Sequence, residues 1–196
     1  MSVFLFFDLR ALMNKSNAKK SYGKAAEYIY SVFSTFLICM MIVFVAFSFF
    51  FRLVQVTGDS MNPTLEEGDR LIISNFSYTP DYGDIIAVNK NGIEKSSMIK
   101  RVIALPGDTV SIDFVTHLII VNGKVLFEDY EVTEPISESY DFTGPVTVPE
   151  NAVFVLGDNR NNSVDSRTES IGFITLDEIN GKALTRLFPI GRFNIY

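Results

Sequence analysis

Residues 28–51 read YIYSVFSTFLICMMIVFVAFSFFF, without one charged side chain, and Arg52 closes the run. An α-helix rises 1.5 Å per residue, so about 20 apolar residues cross the ~30 Å hydrocarbon core of a bilayer. The run meets that length. A cleaved secretory signal has an apolar stretch of only about 7–15 residues, followed by a small-x-small site. Here Arg52-Leu53-Val54-Gln55 follows instead. A buried core helix is the competing reading. Length and flanks predict a transmembrane helix over 28–52.

The charges on either side give a direction. Arg10, Lys15, Lys19, Lys20 and Lys24 precede the span against Asp8 and Glu27, five basic residues and two acidic, a balance of +3. The whole chain carries −6, so the remainder carries −9. Basic residues near a span end stay on the cytoplasmic side, which predicts a cytoplasmic N-terminus and an acidic domain facing outward. An acidic face argues against nucleic acid as a partner, because phosphates need a basic surface. Cys39, the one cysteine, lies inside the apolar run. One thiol excludes a disulfide framework and a cysteine-based metal site within the chain. The short apolar run 3–7 is too brief to span; it either lies along a membrane surface or makes a local contact.

Beyond Arg52 the texture changes to short apolar runs separated by Gly, Pro, Asn and Asp. Runs 71–74, 85–88, 98–105, 109–112, 118–121, 124–127, 152–156 and 182–188 read as strands. Asn122-Gly123 between two of them is a hairpin signal, since a type I′ turn needs positive φ at both central positions. Thr175 and Glu178 are spaced as a capping box on one short helical turn. Residues 128–149 read as an exposed excursion. The expected fold is mostly β, coiled or barrel-like, on a single N-terminal helix. At 196 residues the chain has room for an anchor and one such domain.

Candidate chemistry is limited first by absence. His117 is the only histidine, in an apparent strand, so a Ser-His-Asp triad must use it or not exist. A two- or three-histidine zinc site is excluded, and neither the P-loop nor the dinucleotide fingerprint occurs. A hydrolase would therefore need another base. Lys100, in Ser97-Met98-Ile99-Lys100-Arg101-Val102-Ile103-Ala104, would share a strand face with Met98, Val102 and Ala104. An apolar setting destabilises an ammonium and lowers its pKa; the alternative is a lysine that carries its charge out to water. Arg101 cannot serve, because a guanidinium does not lose its proton in a protein.

Ser60 stands in Gly58-Asp59-Ser60-Met61-Asn62-Pro63-Thr64-Leu65, just beyond the span. Gly58 permits unusual backbone angles and Pro63 fixes a turn, so Ser60 could present both hydroxyl and N–H to one carbonyl. An ordinary turn explains the same residues. The third cluster, Gly157-Asp158-Asn159-Arg160-Asn161-Asn162-Ser163-Val164-Asp165-Ser166-Arg167, interleaves two arginines with two aspartates. That pattern fits a fixed hydrogen-bonded network or a set of surface ion pairs.

Three motifs in this order after one span resemble type I signal peptidases, the bacterial membrane-bound Ser–Lys proteases. They are Ser60-Met61-Asn62-Pro63-Thr64-Leu65, Lys100-Arg101-Val102-Ile103-Ala104-Leu105-Pro106-Gly107-Asp108, and the 157–167 stretch. The resemblance covers the anchor and nearly all of the outer domain. It implies a cytoplasmic segment 1–27, the helix 28–52 and an extracytoplasmic peptidase domain 53–196. It implies Ser60 as nucleophile and Lys100 as general base, with Ser163 orienting the amine and the Ser60 N–H in the oxyanion hole. Asp165 and Arg167 would form a supporting ion pair, and Met61, Leu65 and Ile99 would line the substrate pocket.

Implied substrates are exported precursor proteins cleaved after Ala-x-Ala, with the lipid bilayer as the other partner and neither metal nor cofactor. Gly58 stands where some members carry a serine that aids the oxyanion, as in the Gram-positive form. Residues 168–171 make a longer connection than the family pattern. Lys100 separates the chain from the archaeal and ER-type branch, where histidine takes this role. Two rival classes are a non-proteolytic relative assisting surface-protein assembly, which would lack the serine or lysine, and a self-cleaving regulator, which would carry a DNA-binding module instead of the anchor.

Overall fold

The computed structural model describes residues 3–90 and 98–191, with side chains from Gly23 onward apart from Ala25. The run 3–7 therefore has its backbone but not its side chains among the described parts. The chain divides into two units, Met1–Phe49 and Phe50–Tyr196.

In the first unit a long helix, α1, begins at Val3 and runs to Phe50. Its apolar part, Ala26–Phe50, has a mean hydropathy of 2.5 and no buried share. Those 25 residues measure about 37 Å, enough to cross a bilayer with some tilt. Phe51 and Arg52, expected inside the span, instead open a strand. The first charge ends the apolar composition, but pairing with a neighbouring strand ends the helix two residues earlier.

The second unit is mostly β. Its strands are β1 (Phe51–Gln55), β2 (Arg70–Ser74), β3 (Ile85–Val88), β4 (Met98–Ala104), β5 (Thr109–Asp113), β6 (Leu118–Val121), β7 (Lys124–Val125), β8 (Val146–Thr147), β9 (Ala152–Leu156), β10 (Ile174–Thr175) and β11 (Ile179–Phe188). They form a curled seven-stranded sheet in the order β1-β2-β11-β3-β4-β9-β10 and a four-stranded sheet in the order β7-β6-β5-β8. Every pairing is antiparallel. The short strands β8 and β10 and the anchor-proximal β1 escape a periodicity reading, because two residues show no alternation and Phe51 continues the apolar run.

Asn122 and Gly123 have φ of 52° and 75°, as the β6–β7 turn requires. Glu178 accepts the Thr175 N–H at 2.9 Å, one half of the expected capping box, on a 3-10 turn Leu176–Glu178. His117 lies in the turn between β5 and β6 rather than in a strand, at φ 61°, with Nδ1 2.7 Å from the Ile136 carbonyl. The segment 128–149 is mostly exposed, yet Ile136 and Val148 are buried and hold it against the second sheet's core with Val110, Ile119 and Phe154.

β4 has β3 on one side and β9 on the other, and from Ile99 to Ala104 all of its residues are buried. Both faces are covered, so the two charged residues at its centre, Lys100 and Arg101, are buried.

Candidate active site

The nucleophile candidate sits on the loop between β1 and β2. Gly58 takes φ 79°, a left-handed angle that turns the chain just before Asp59. Asn62 N–H then donates to the Asp59 carbonyl at 3.0 Å, and Leu65 N–H to the Met61 carbonyl at 2.9 Å. This tight turn leaves Ser60 partly exposed while burying Met61 and Leu65, which follow it. The Ser60 N–H has no protein acceptor among the described residues.

Lys100 reaches the same point from β4. Its Nζ lies 2.7 Å from Ser60 Oγ, across forty residues of sequence. Lys100 is only 4% exposed, and burial pulls its pKa from 10.5 down to about 8. Asp165 and Asp158 oppose that fall by favouring the ammonium, and Arg167 adds to it. Desolvation is the dominant cause, which is the condition for a lysine base. At pH 7 about one-tenth of such an amine is neutral, against about three in ten thousand at its ordinary value.

Beneath the dyad lies the polar loop that leaves β9. Asp165 and Arg167 pair at 2.8 Å with both side chains fully buried, and Asp165 also accepts the Gly157 N–H at 3.1 Å. The other two charges do not pair with each other. Asp158 takes two hydrogen bonds from Arg101 of β4, at 2.8 and 2.7 Å, and one from Thr64 Oγ1 at 2.6 Å. Arg160 bonds Glu128 and the Gly157 carbonyl. Asp158 thus fastens β4 and the serine turn to one carboxylate. Asn159 N–H donates to the Ser60 carbonyl at 3.0 Å, and Asn162 Nδ2 to Asp59 at 2.9 Å. The interleaved charges are a buried network and not surface pairs. Asp165 and Arg167 stand two residues apart, but the partners of Asp158 and Arg160 lie far away in sequence, so spacing alone does not reveal those pairings.

Ser163 is 2% exposed, and its hydroxyl makes no hydrogen bond among the described residues. The bond to the amine that the resemblance implies is not formed here; Lys100 bonds Ser60 instead. Ser163 nonetheless abuts the site: a Cβ on Gly157 would stand 2.2 Å from Ser163 Oγ and 2.3 Å from the Ser60 carbonyl oxygen. Met61, Leu65 and Ile99 come together in one apolar cluster with Val56, Leu71, Ile73, Ile85, Ala87 and Ala183. At 1, 0 and 5% exposure they are core side chains, with little surface of their own to offer a substrate. Residues 168–171 close into turns, with the Ile171 and Gly172 N–H groups both donating to Thr168 O.

The family profile described as "Signal peptidase, peptidase S26" matches residues 29–188, well over half of the chain. This chain belongs to that family. By that membership it is a serine endopeptidase of the signal peptidase I group, whose members cleave signal peptides and are membrane-anchored. It is 35% identical over 191 residues to signal peptidase I P of Bacillus subtilis subsp. natto, spanning 92% of this chain and 97% of that one. It is 39% identical over 148 residues to a probable signal peptidase I-2 of Synechocystis, where the match spans 71% of this chain but 64% of the relative. A crystal structure of a signal peptidase I from Enterococcus faecalis V583 superimposes with TM-score 0.44 at 33% identity, covering 55% of this chain and 98% of that one. In the peptidase described here, the motif residues lie on three separated segments that the sheet brings to one place.

Proposed function

We propose that this peptidase removes signal peptides from exported precursors by acyl transfer, with Ser60 as nucleophile and Lys100 as general base. The observation that carries the proposal is the 2.7 Å contact between Ser60 Oγ and a buried Lys100 amine whose pKa is lowered to about 8. With the amine neutral, the Ser60 O–H donates to its lone pair. The oxygen attacks the carbonyl that ends the signal peptide as the proton passes to Nζ. The developing oxyanion is held by the Ser60 N–H, with Gly58 contributing backbone freedom and no hydroxyl. Lys100 then protonates the departing amine as the C–N bond breaks, the mature protein leaves, and the signal peptide stays on Ser60 as an ester. A water gives its proton to Lys100 and attacks the ester; Lys100 returns the proton to Ser60 Oγ as the acyl–oxygen bond breaks, and the signal peptide leaves with a free carboxyl group.

Ser163 has a role in the second half of that cycle. Acylation takes Ser60 Oγ away from the amine, and the unpartnered Ser163 hydroxyl is then available to hold Lys100. Asp165, Arg167, Asp158 and Arg101 fix the loop and strand but touch no reacting atom. Met61, Leu65 and Ile99 support shallow pockets that admit small residues, giving cleavage after Ala-x-Ala. The substrate lies as an extended strand along the site, the recognition mode in which backbone bonds give affinity and pockets give selectivity.

The apolar helix anchors the enzyme, with basic residues 10–24 on the cytoplasmic side and the β unit outside. Tethering to the bilayer raises the effective concentration of a precursor's cleavage point, which leaves the same bilayer. Cleavage of an Ala-x-Ala precursor by the full chain in detergent tests the assignment. Ser60→Ala and Lys100→Ala should each lower the rate by at least 1,000-fold, on the order of what loss of an activated nucleophile or its base costs. Parental activity in either variant would refute the dyad.

A further inference from the structure

The segment 128–141 carries none of the three motifs, yet it adds a second tie between the parts of the site that Asp158 already joins. Its contacts are made by residues of unlike kinds. Tyr130 lays its ring over Arg101, 3.8 Å from the guanidinium carbon to the ring centroid, and its hydroxyl donates to Glu128 at 2.7 Å. Glu128 in turn holds Arg160 of the polar loop. Further along, the Glu138 carbonyl accepts from Arg167 at 2.7 Å. The Asn161 side chain accepts from the Ser137 and Glu138 N–H groups at 2.9 and 3.1 Å. Between these anchors, Thr133 makes two bonds that point to different loops. Its N–H donates to the Asp158 carbonyl at 3.2 Å, and its hydroxyl donates to the Asn62 carbonyl at 2.8 Å.

Asn62 lies two residues beyond Ser60 in the same tight turn, and Asp158 is the carboxylate residue that fastens Arg101 and Thr64. The Asn62 carbonyl is held at the point where the turn leaves the Asp59–Asn62 hydrogen bond. Thr133 itself is exposed. An exposed side chain that contributes no core packing, yet bridges the nucleophile turn and the polar loop, has position as its main effect.

We propose that residues 128–141 act as a strap across the active site and that Thr133 is a positioning residue for Ser60, its hydroxyl fixing the turn that aims the nucleophile. The proposal rests on the reading of Ser60 and Lys100 as the dyad. Loss of the Thr133 hydroxyl frees the Asn62 carbonyl and lets the turn relax relative to the strand that carries Lys100. Small displacements of a nucleophile reduce the chemical step far more than binding.

The experiment compares parent, Thr133→Val, Thr133→Ser and Ser60→Ala, all full-length in detergent, by steady-state cleavage of an Ala-x-Ala precursor between pH 6.5 and 9.5. Valine keeps the shape and removes the hydroxyl; serine keeps the hydroxyl. The expected result is a kcat about tenfold lower in Thr133→Val with KM within twofold of the parent. Thr133→Ser should stay within twofold of parental kcat, and the acid limb of the pH profile should stay in place. General damage to the site would instead admit water to Lys100 and move that limb to higher pH. Parental kcat in Thr133→Val, equal losses in the valine and serine variants, or a displaced acid limb would each overturn the strap proposal while leaving the dyad intact. Activity in Ser60→Ala would overturn the dyad itself.

Discussion

Replacing Lys100 by methionine removes the amine and keeps an unbranched side chain of similar length. Burial holds the Lys100 amine at about 8 against an ordinary 10.5, so below pH 8 the folded protein must carry a buried cation or lose a proton to avoid it. That displacement corresponds to about 3 kcal/mol at pH 7. Between pH 8 and 10.5 the unfolded chain still binds a proton that the folded chain has released. Stability attributable to this group therefore rises with pH across that window and is lowest beneath it.

The methionine variant has no amine to desolvate but loses the hydrogen bond to Ser60, which costs about 1 kcal/mol. Lys100→Met should then be inactive and about 2 kcal/mol more stable than the parent at pH 7, a rise in Tm of about 4–8 °C for a domain of this size. By pH 10.5 the order should reverse, because the parent has regained its stability and the variant still lacks the bond. Thermal unfolding of both proteins in detergent from pH 6 to 10.5 measures this, with precursor cleavage as the activity control. A Tm difference that does not change with pH, or a variant less stable at pH 7, would refute the claim that desolvation sets the state of Lys100.

Two other outcomes follow from the same geometry. The neutral fraction of Lys100 rises from about one-tenth at pH 7 to about nine-tenths at pH 9, so kcat/KM should climb about ninefold over that interval, with its acid limb near the amine's pKa of about 8; a rate flat from pH 6 to 8 would contradict a lysine base. Gly157→Ala should lower kcat by about 100-fold or more while leaving the protein folded by circular dichroism, since the added carbon would stand 2.2 Å from Ser163 Oγ and 2.3 Å from the Ser60 carbonyl oxygen and must displace one of them; cleavage assays on a soluble precursor peptide read it directly.

Much of the scaffold was legible from local pattern. Runs of four to eight mainly apolar residues between turn formers marked the longer strands, and Asn122-Gly123 marked its hairpin, because alternation and positive φ are properties of adjacent residues. The apolar helix was legible for the same reason, although its end at Phe50 was set by the pairing of Phe51 with Ser74. Strands of two residues left no periodic trace. The burial of Arg101, the partner of Asp158 and the place of His117 in a turn depended on neighbours distant in the chain. The strap 128–141 read only as an exposed excursion, since its polar composition is that of a loop and its function lies in what its backbone and Thr133 touch.

The sequence by itself determined the kinds of chemistry open to this protein. A single histidine, a single cysteine and an uncharged run of membrane length removed most alternatives, and three motifs in fixed order named Ser60 and Lys100. It did not decide that either residue was competent. A serine in a turn and a lysine in a strand are ordinary until a sheet closes around them. Only the tertiary structure brings Lys100 to 2.7 Å from Ser60 and keeps it 4% exposed. Burial of an amine is a property of everything packed around it, and the lowering of its pKa is fixed there.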